Sequence, residues 1–274
     1  MRFHIPTLVT DTVIMSLLVG SVSIVIGCTV GIVRKLNSLE RTALFYHPLI
    51  PPPLLMAKIR VDFFFDIISP YSYLGFESLY RYGAVWPISI KLRPIHFLLM
   101  AKEIKLPPYT ENKVAYTQED TARVAKYFGI PFKFPEDYGE KFMLKSSSNA
   151  QRLICAVGEK EGEKMETVAR ALFTRFWVDN KGIYDEDDFK EVLEKSGVAK
   201  KKEIMQDISS EAIKKKVVEN TKEAIGQGCV GLPWISVHLS NGRVESFFGS
   251  DRLPVIGEVI GQRFQGPLSP HPRI

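Results

Sequence analysis

Apolar and polar positions follow two different periods along this chain, and the changes of period mark its elements. Residues 58–68 carry an unbroken apolar core from Val61 to Ile68 apart from Asp62 and Asp66, the pattern of a strand buried on both faces. Residues 71–82 then read as a helix and 88–97 as a second strand, a β-α-β unit of parallel strands. From about 111 to 227 the apolar spacing is helical: Ala150, Leu153, Ile154 and Val157, then Val168, Leu172 and Phe176, recur at steps of three or four. Asp185 is placed to cap a helix over 186–195, which Gly197 stops. Asn241-Gly242 predicts a hairpin between an apolar strand at 234–239 and a second at 243–248, and a last helix comes after it over 252–262.

The first 57 residues stand apart. An uncharged run of 21 residues, 13–33, lies between Asp11 and Arg34-Lys35, long enough to span a bilayer as a helix. It is too long for the usual cleaved signal peptide, although Gly20, Gly27 and Gly31 lower its hydrophobicity. Arg34, Lys35 and Arg41 would keep the remainder of the chain on the cytosolic or matrix side. Residues 46–55, with Pro48 and Pro51 to Pro53, read as an extended linker. The competing reading is that Met56-Ala57-Lys58 is a natural start and the first 55 residues an alternative one. The expected organisation is therefore an extension (1–57), a first part of an α/β domain (58–110), a helical insertion (111–227) and the second part (228–274).

Composition narrows the function. A chain of 274 residues, 45% hydrophobic and 24% charged, can bury a full core, and a net charge of +5 is modest. Lysines 200–202 and 214–216 fall in helical stretches as solvated faces, and no basic block alternates with aromatics, so nucleic acid is not an expected partner. Cys28, Cys155 and Cys229 share no close spacing, which argues against a disulfide framework or metal site and suits a reducing compartment. None of the five histidines pairs with another at ligand spacing, so no metal is expected.

The candidate chemistry sits at Ser69-Pro70-Tyr71-Ser72, directly after the first strand. Ser69 before a proline suits an N-cap. The same position is where a redox turn of Cys-x-x-Cys type places its reactive thiol, at a helix N-terminus that stabilises a thiolate. With oxygen in place of both sulfurs the turn cannot cycle a disulfide, but its hydroxyl can donate to a thiolate carried by a thiol cofactor such as glutathione. Further along, Leu232 precedes Pro233 and is placed to pair its backbone with an extended peptide. Gly249-Ser250-Asp251-Arg252 opens the last helix, where N–H groups suit a carboxylate and Asp251 an ammonium. Glutathione carries both groups.

Phe65-Asp66 through Tyr82, Gly231-Leu232-Pro233 and Phe248 through Arg252 resemble the kappa class of glutathione transferases, over nearly all of residues 58–268. The resemblance implies a DsbA-type fold: an α/β thioredoxin-like domain with a large all-helical insertion, here preceded by the expected transmembrane helix. It implies a cis-proline at Pro233, a glutathione sulfur held by Ser69, and a glutathione site made of Ser69, Pro70, Tyr71, Leu232, Pro233, Ser250 and Asp251. It also implies a small hydrophobic electrophile or hydroperoxide as second substrate, a homodimer, and mitochondria or peroxisomes. The end Pro272-Arg273-Ile274 is a poor peroxisomal address, which favours mitochondria. Where the family usually has asparagine before a Pro-Pro pair, this chain has Lys105, which could meet a glutathione carboxylate. Lys113, Tyr116 and Asp120 share one helical face, either solvent-exposed or lining the electrophile pocket. Two alternatives stand beside the transferase: a glutathione-dependent isomerase of hydroxychromene carboxylates, and a membrane-tethered glutathione-binding module without turnover.

Overall fold

In the computed structural model the described residues are 12–19, 22–29, 58–108, 110–136, 138 and 145–268, and the chain divides into the units Met1–Leu54 and Leu55–Ile274. In the first unit, β1 (Thr12–Val19) and β2 (Val22–Thr29) pair antiparallel, from Thr12 opposite Thr29 to Val19 opposite Val22. This corrects the helix expected over 13–33. Val13, Ile14, Val19, Val22, Ile24, Val25 and Ile26 are β-branched, stiff at χ1 and better suited to a pleated strand than to a helix. No helix among the described residues is long and apolar enough to cross a membrane. Residues 30–33, the linker 46–55 and the end 272–274 lie outside the described residues.

The second unit opens with β3 (Ile59–Phe65), α1 (Pro70–Gly83) and β4 (Ile88–Pro94), with β3 and β4 parallel. A helical stretch comes next, with α2 (Phe97–Glu103), α3 (Glu111–Phe128), α4 (Ser148–Lys160), α5 (Met165–Trp177), α6 (Glu186–Lys195), α7 (Lys201–Asp207) and α8 (Glu211–Gly226) among the described residues. The chain then returns as the hairpin β5 (Trp234–His238) and β6 (Val244–Phe248) and ends in α9 (Leu253–Val259). The sheet order is β4-β3-β5-β6, with β5 antiparallel to both neighbours. This is the thioredoxin-like sheet with a helical insertion between its halves.

Central β3 explains the apolar run: Val61, Phe63, Phe64 and Phe65 are fully buried because helices cover both faces of the strand. The second strand is shorter than expected. Pro94 ends it, lacking the N–H a longer ladder would need, and the good helix formers from Phe97 to Glu103 make α2 instead. α6 forms at its expected bounds: Asp188 Oδ2 accepts from Asp185 N at 3.2 Å in a capping box, and Gly197 just beyond takes a left-handed φ of 63°. The last helix is shorter than expected, with Gly261 in a left-handed conformation soon after its end.

The insertion is stitched to the loop that leads into α1. Trp177 at the end of α5 stacks on Phe132 and donates Nε1–H to Ile67 O at 2.8 Å, while Tyr138 donates its hydroxyl to Ile68 O at 3.2 Å. Truncating a side chain as large and buried as Trp177 costs about 3–5 kcal/mol, so this contact both stabilises the unit and sets the path of the loop.

Candidate functional site

Ser69 ends that loop as the N-cap of α1, with Pro70 in the first turn. Its Oγ accepts from Ser72 N at 3.2 Å, and its own N–H donates to Asp66 O at 3.0 Å. The cap uses a lone pair of the hydroxyl and leaves the O–H proton without an acceptor among the described residues. The two readings of Ser69 are thus compatible: the side chain caps the helix and still has a proton to donate.

Asp66, three residues earlier, is fully buried and organises the loop. Oδ1 accepts from Ile68 N at 3.2 Å and Gln151 Nε2 at 2.7 Å, and Oδ2 from Phe97 N and Ser147 Oγ, both at 2.9 Å. Burial pushes the carboxyl above its ordinary pKa, against the hydrogen bonds from Phe97, Ile68 and Ser147, which pull it down. Gln151 Oε1 is buried without a partner among the described residues, so turning that amide over would give a protonated Asp66 an acceptor. Sequence reasoning assigned Asp66 no role. The signal was a lone acid inside the apolar run from Phe63 to Ile68.

Facing α1, the Leu232-Pro233 bond is cis, as the resemblance implied. Leu232 is buried outside any strand, and among the described residues its N–H and C=O have no hydrogen-bond partner. Unpaired main-chain groups at a buried position are rare, and here they match the strand-like pairing that an extended peptide needs. Gly249, at φ 103°, donates its N–H to Pro233 O at 3.0 Å, which anchors the turn carrying Ser250 and Asp251 to the same loop. Ser250 is buried, whereas Asp251 is exposed and ion-paired with Arg252 at 2.9 Å.

A cleft of about 190 Å³ gathers part of this set: Ser69, Pro70, Tyr71 and Leu232 line it, with Tyr116 and Phe248 among the aromatic walls. Lys113 belongs to the same wall, so α3 turns that face toward the cleft rather than only to solvent. Pro233, Ser250 and Asp251 lie outside the lining and are tied to it through Gly249 and Leu232. Lys105 is exposed, with a left-handed φ of 52°, and it is its neighbour Leu106 that reaches the cleft. Phe97, Leu106, Tyr138, Val230 and Phe248 were not foreseen as walls, because nothing local tells which apolar residue stops at a cleft edge. A larger groove of about 730 Å³ runs along β4 but contains none of the expected site residues.

Cys229 is buried. Its Sγ lies 3.5 Å from Met100 Sδ and 3.2 Å from Gly231 O, and burial pushes the thiol up to about 11. Neither turn position carries sulfur, and no described cysteine lines the cleft.

The DSBA-like thioredoxin domain matches residues 60–261, so fold and active-site turn together define a thioredoxin-type protein of the DSBA-like family. The chain is 38% identical over 212 residues to glutathione S-transferase kappa 2 of Caenorhabditis elegans, covering 76% of this chain and 94% of that one. It is 32% identical over 214 residues to glutathione S-transferase kappa 1 of Rattus norvegicus, covering 77% and 94%. Within the DSBA-like family, the chain belongs to the kappa class of glutathione transferases. The solved structure of a 2-hydroxychromene-2-carboxylate isomerase shares its fold, with a TM-score of 0.62 at 24% identity over 74% of this chain and 94% of that one.

Proposed function

We propose that the chain binds glutathione in extended form along the Leu232 backbone and holds its sulfur as a thiolate at Ser69. The observation that carries this reading is the pairing, in one cleft, of a Ser69 hydroxyl proton and a Leu232 main chain that both lack a partner among the described residues. The N-terminus of α1 adds its partial positive charge to the hydroxyl. Lowering a thiol pKa from about 8.5 by about two units turns a few per cent of thiolate at neutral pH into most of it, so no separate base is required. The sulfur then attacks a small hydrophobic electrophile and the displaced group leaves with its electron pair; with a hydroperoxide it attacks the terminal oxygen, the O–O bond breaks to release the alcohol, and a second glutathione thiol converts the resulting sulfenic acid to glutathione disulfide and water. Ser250 and Asp251 take the γ-glutamyl end in this reading, and Lys105, which is outside the cleft wall, is left out of it.

The test is the thiolate absorbance of bound glutathione, together with turnover. Ser69→Ala is expected to lose most of that absorbance and about ten- to a thousand-fold in turnover, the range for removing one donor to charge. Loss of the cap alone costs about 1 kcal/mol of stability and leaves turnover intact below the unfolding transition, so full activity in Ser69→Ala sinks the assignment. Product analysis with an aryl halide against a hydroxychromene acid separates the transferase from the isomerase, and affinity without turnover on either would leave a binding module. A homodimer and a mitochondrial address belong to the same reading, supported by the family likeness; sedimentation and cell fractionation test them.

A further inference from the structure

β4 is an outer strand of its sheet, and its free edge faces the groove of about 730 Å³. Its ladder to β3 is bounded by Ile59 N–H donating to Pro87 O at 2.8 Å and Ile95 N–H donating to Phe65 O at 3.0 Å. Alternate residues of a parallel strand bond to the same neighbour, so Ser89, Lys91 and Arg93 spend their main-chain groups on β3, while those of Ile90 and Leu92 point outward. Neither Ile90 nor Leu92 has a main-chain partner among the described residues, although Leu92 is buried and both line the groove. Unpaired main chain at a buried position is rare, and a row of it along an edge is a template for another strand.

The two faces of that edge differ in chemistry. Ile90 lies on the α1 side, where a Cβ on Gly83 would meet Ile90 Cδ1 at 3.1 Å, and the small Gly83 and Ala84 leave that side of the groove open. Alternation puts Lys91 on the other face, and Lys58 with it, two residues before Arg60, which pairs with Ser89. Charge then selects the occupant. Glu159 of the groove is paired with Lys216 at 2.9 Å, Glu166 with Arg170 at 2.7 Å and Arg93 with Glu223. Lys58 and Lys91 are exposed and carry no ion pair among the described residues, against Glu163 on the helical side. A second copy of β4 is a poor fit, because an antiparallel two-fold pairing puts the Lys91 of both copies on one face as like charges.

We propose that the β4 edge is a docking site for an extended peptide of another protein, alternating apolar and acidic residues, which adds to the sheet as a further strand. Its main chain meets Ile90 and Leu92, its apolar side chains face Gly83 and Ala84, and its carboxylates meet Lys58 and Lys91. The groove contains none of the residues assigned to the glutathione site, so docking here is separate from that chemistry.

The experiment titrates the full chain with a fluorescent, end-blocked heptapeptide alternating valine and glutamate, and with the same peptide carrying lysine for glutamate. Polarisation and amide hydrogen exchange are read. The glutamate peptide is expected to bind about ten-fold or more tightly than the lysine peptide, the order for two exposed attractions becoming repulsions, and the gap should shrink with salt. Exchange at Ile90 and Leu92 should slow on binding, while Ser89 and Lys91, already bonded to β3, change little. Lys58→Glu combined with Lys91→Glu, both at exposed positions, should invert the preference and leave KM for glutathione within about two-fold of the parent chain. Ile90→Pro removes the outward N–H without touching the ladder to β3 and should weaken the glutamate peptide about five-fold or more. The charge-reversed variant decides the matter where Ile90→Pro does not fold. Equal binding of the two peptides, or unchanged exchange at Ile90 and Leu92, overturns the proposal, and Lys91 then serves only to keep the edge from pairing. Protection of the same two amides in a dimer of the chain, detected by sedimentation, also overturns it, since a second copy is then the occupant.

Discussion

The backbone of Gly75 in α1 packs directly against the ring of Pro233: a Cβ at position 75 would lie 3.1 Å from Pro233 Cγ and 3.4 Å from Ser250 Cβ. One residue without a side chain thus lets the helix carrying Ser69, the loop carrying Leu232 and the turn carrying Ser250 approach one another.

That approach predicts the outcome of Gly75→Ala. In a free helix face the change would add about 1 kcal/mol of stability through helix propensity. Here the methyl must displace a proline ring, so the gain should disappear and KM for glutathione should rise several-fold. Gly75→Val, a larger intrusion, should cost about 1–3 kcal/mol in thermal unfolding. A more stable Gly75→Ala with unchanged KM would show that the contact has no part in binding.

Asp251 makes a separable prediction, because it is exposed and its visible partner is the neighbouring Arg252. Asp251→Asn keeps the shape and removes the charge that would meet the ligand ammonium. KM for glutathione should rise while kcat at saturation holds, the signature of binding energy lost equally from ground and transition states. If melting temperature drops and KM does not move, the residue serves only the first turn of α9.

The buried Asp66 predicts a pH dependence. Its pKa is raised in the folded chain by burial, so between the ordinary carboxylate range and that raised value the folded state keeps a proton the unfolded chain has lost. Stability contributed at this position is therefore present at low pH and declines as pH climbs through that window. Asp66→Asn has no such slope. At low pH it should be less stable by about 1–3 kcal/mol, since an amide NH₂ would face one of the four donors now bonded to the carboxyl, and the gap should narrow as pH rises. Thermal unfolding at stepped pH measures it; a gap that widens with pH would mean an ionised Asp66 stabilised by those donors.

Lys105 holds a left-handed conformation that asparagine and glycine adopt more easily. Lys105→Asn should raise stability by up to about 1 kcal/mol, with KM for glutathione within about two-fold of the parent. A large change in KM in Lys105→Ala would place the ammonium on a ligand carboxylate after all.

Local pattern carried a great deal of this protein. The apolar run of β3, the cap and stop of α6, the Asn241-Gly242 hairpin and the Ser69 turn were legible because each depends on neighbours a few residues apart, whose backbone preferences the side chains set directly. Pairing defeated the same approach at residues 12–29, where one hydrophobic run suits a spanning helix by length and two paired strands by its β-branched content. α2 was missed for a related reason: apolar residues after Pro94 read equally as strand or helix until packing chooses. Tertiary structure alone decided the site. Whether Ser69 keeps a free proton, whether Leu232 lacks a partner among the described residues, which oxygens of Asp66 are filled, and that Leu106 rather than Lys105 reaches the cleft all depend on how segments distant in sequence pack together, as Gln151 does on Asp66 across 85 residues. Sequence specifies which faces are apolar and where the chain turns; only the packed chain specifies which of those faces meet.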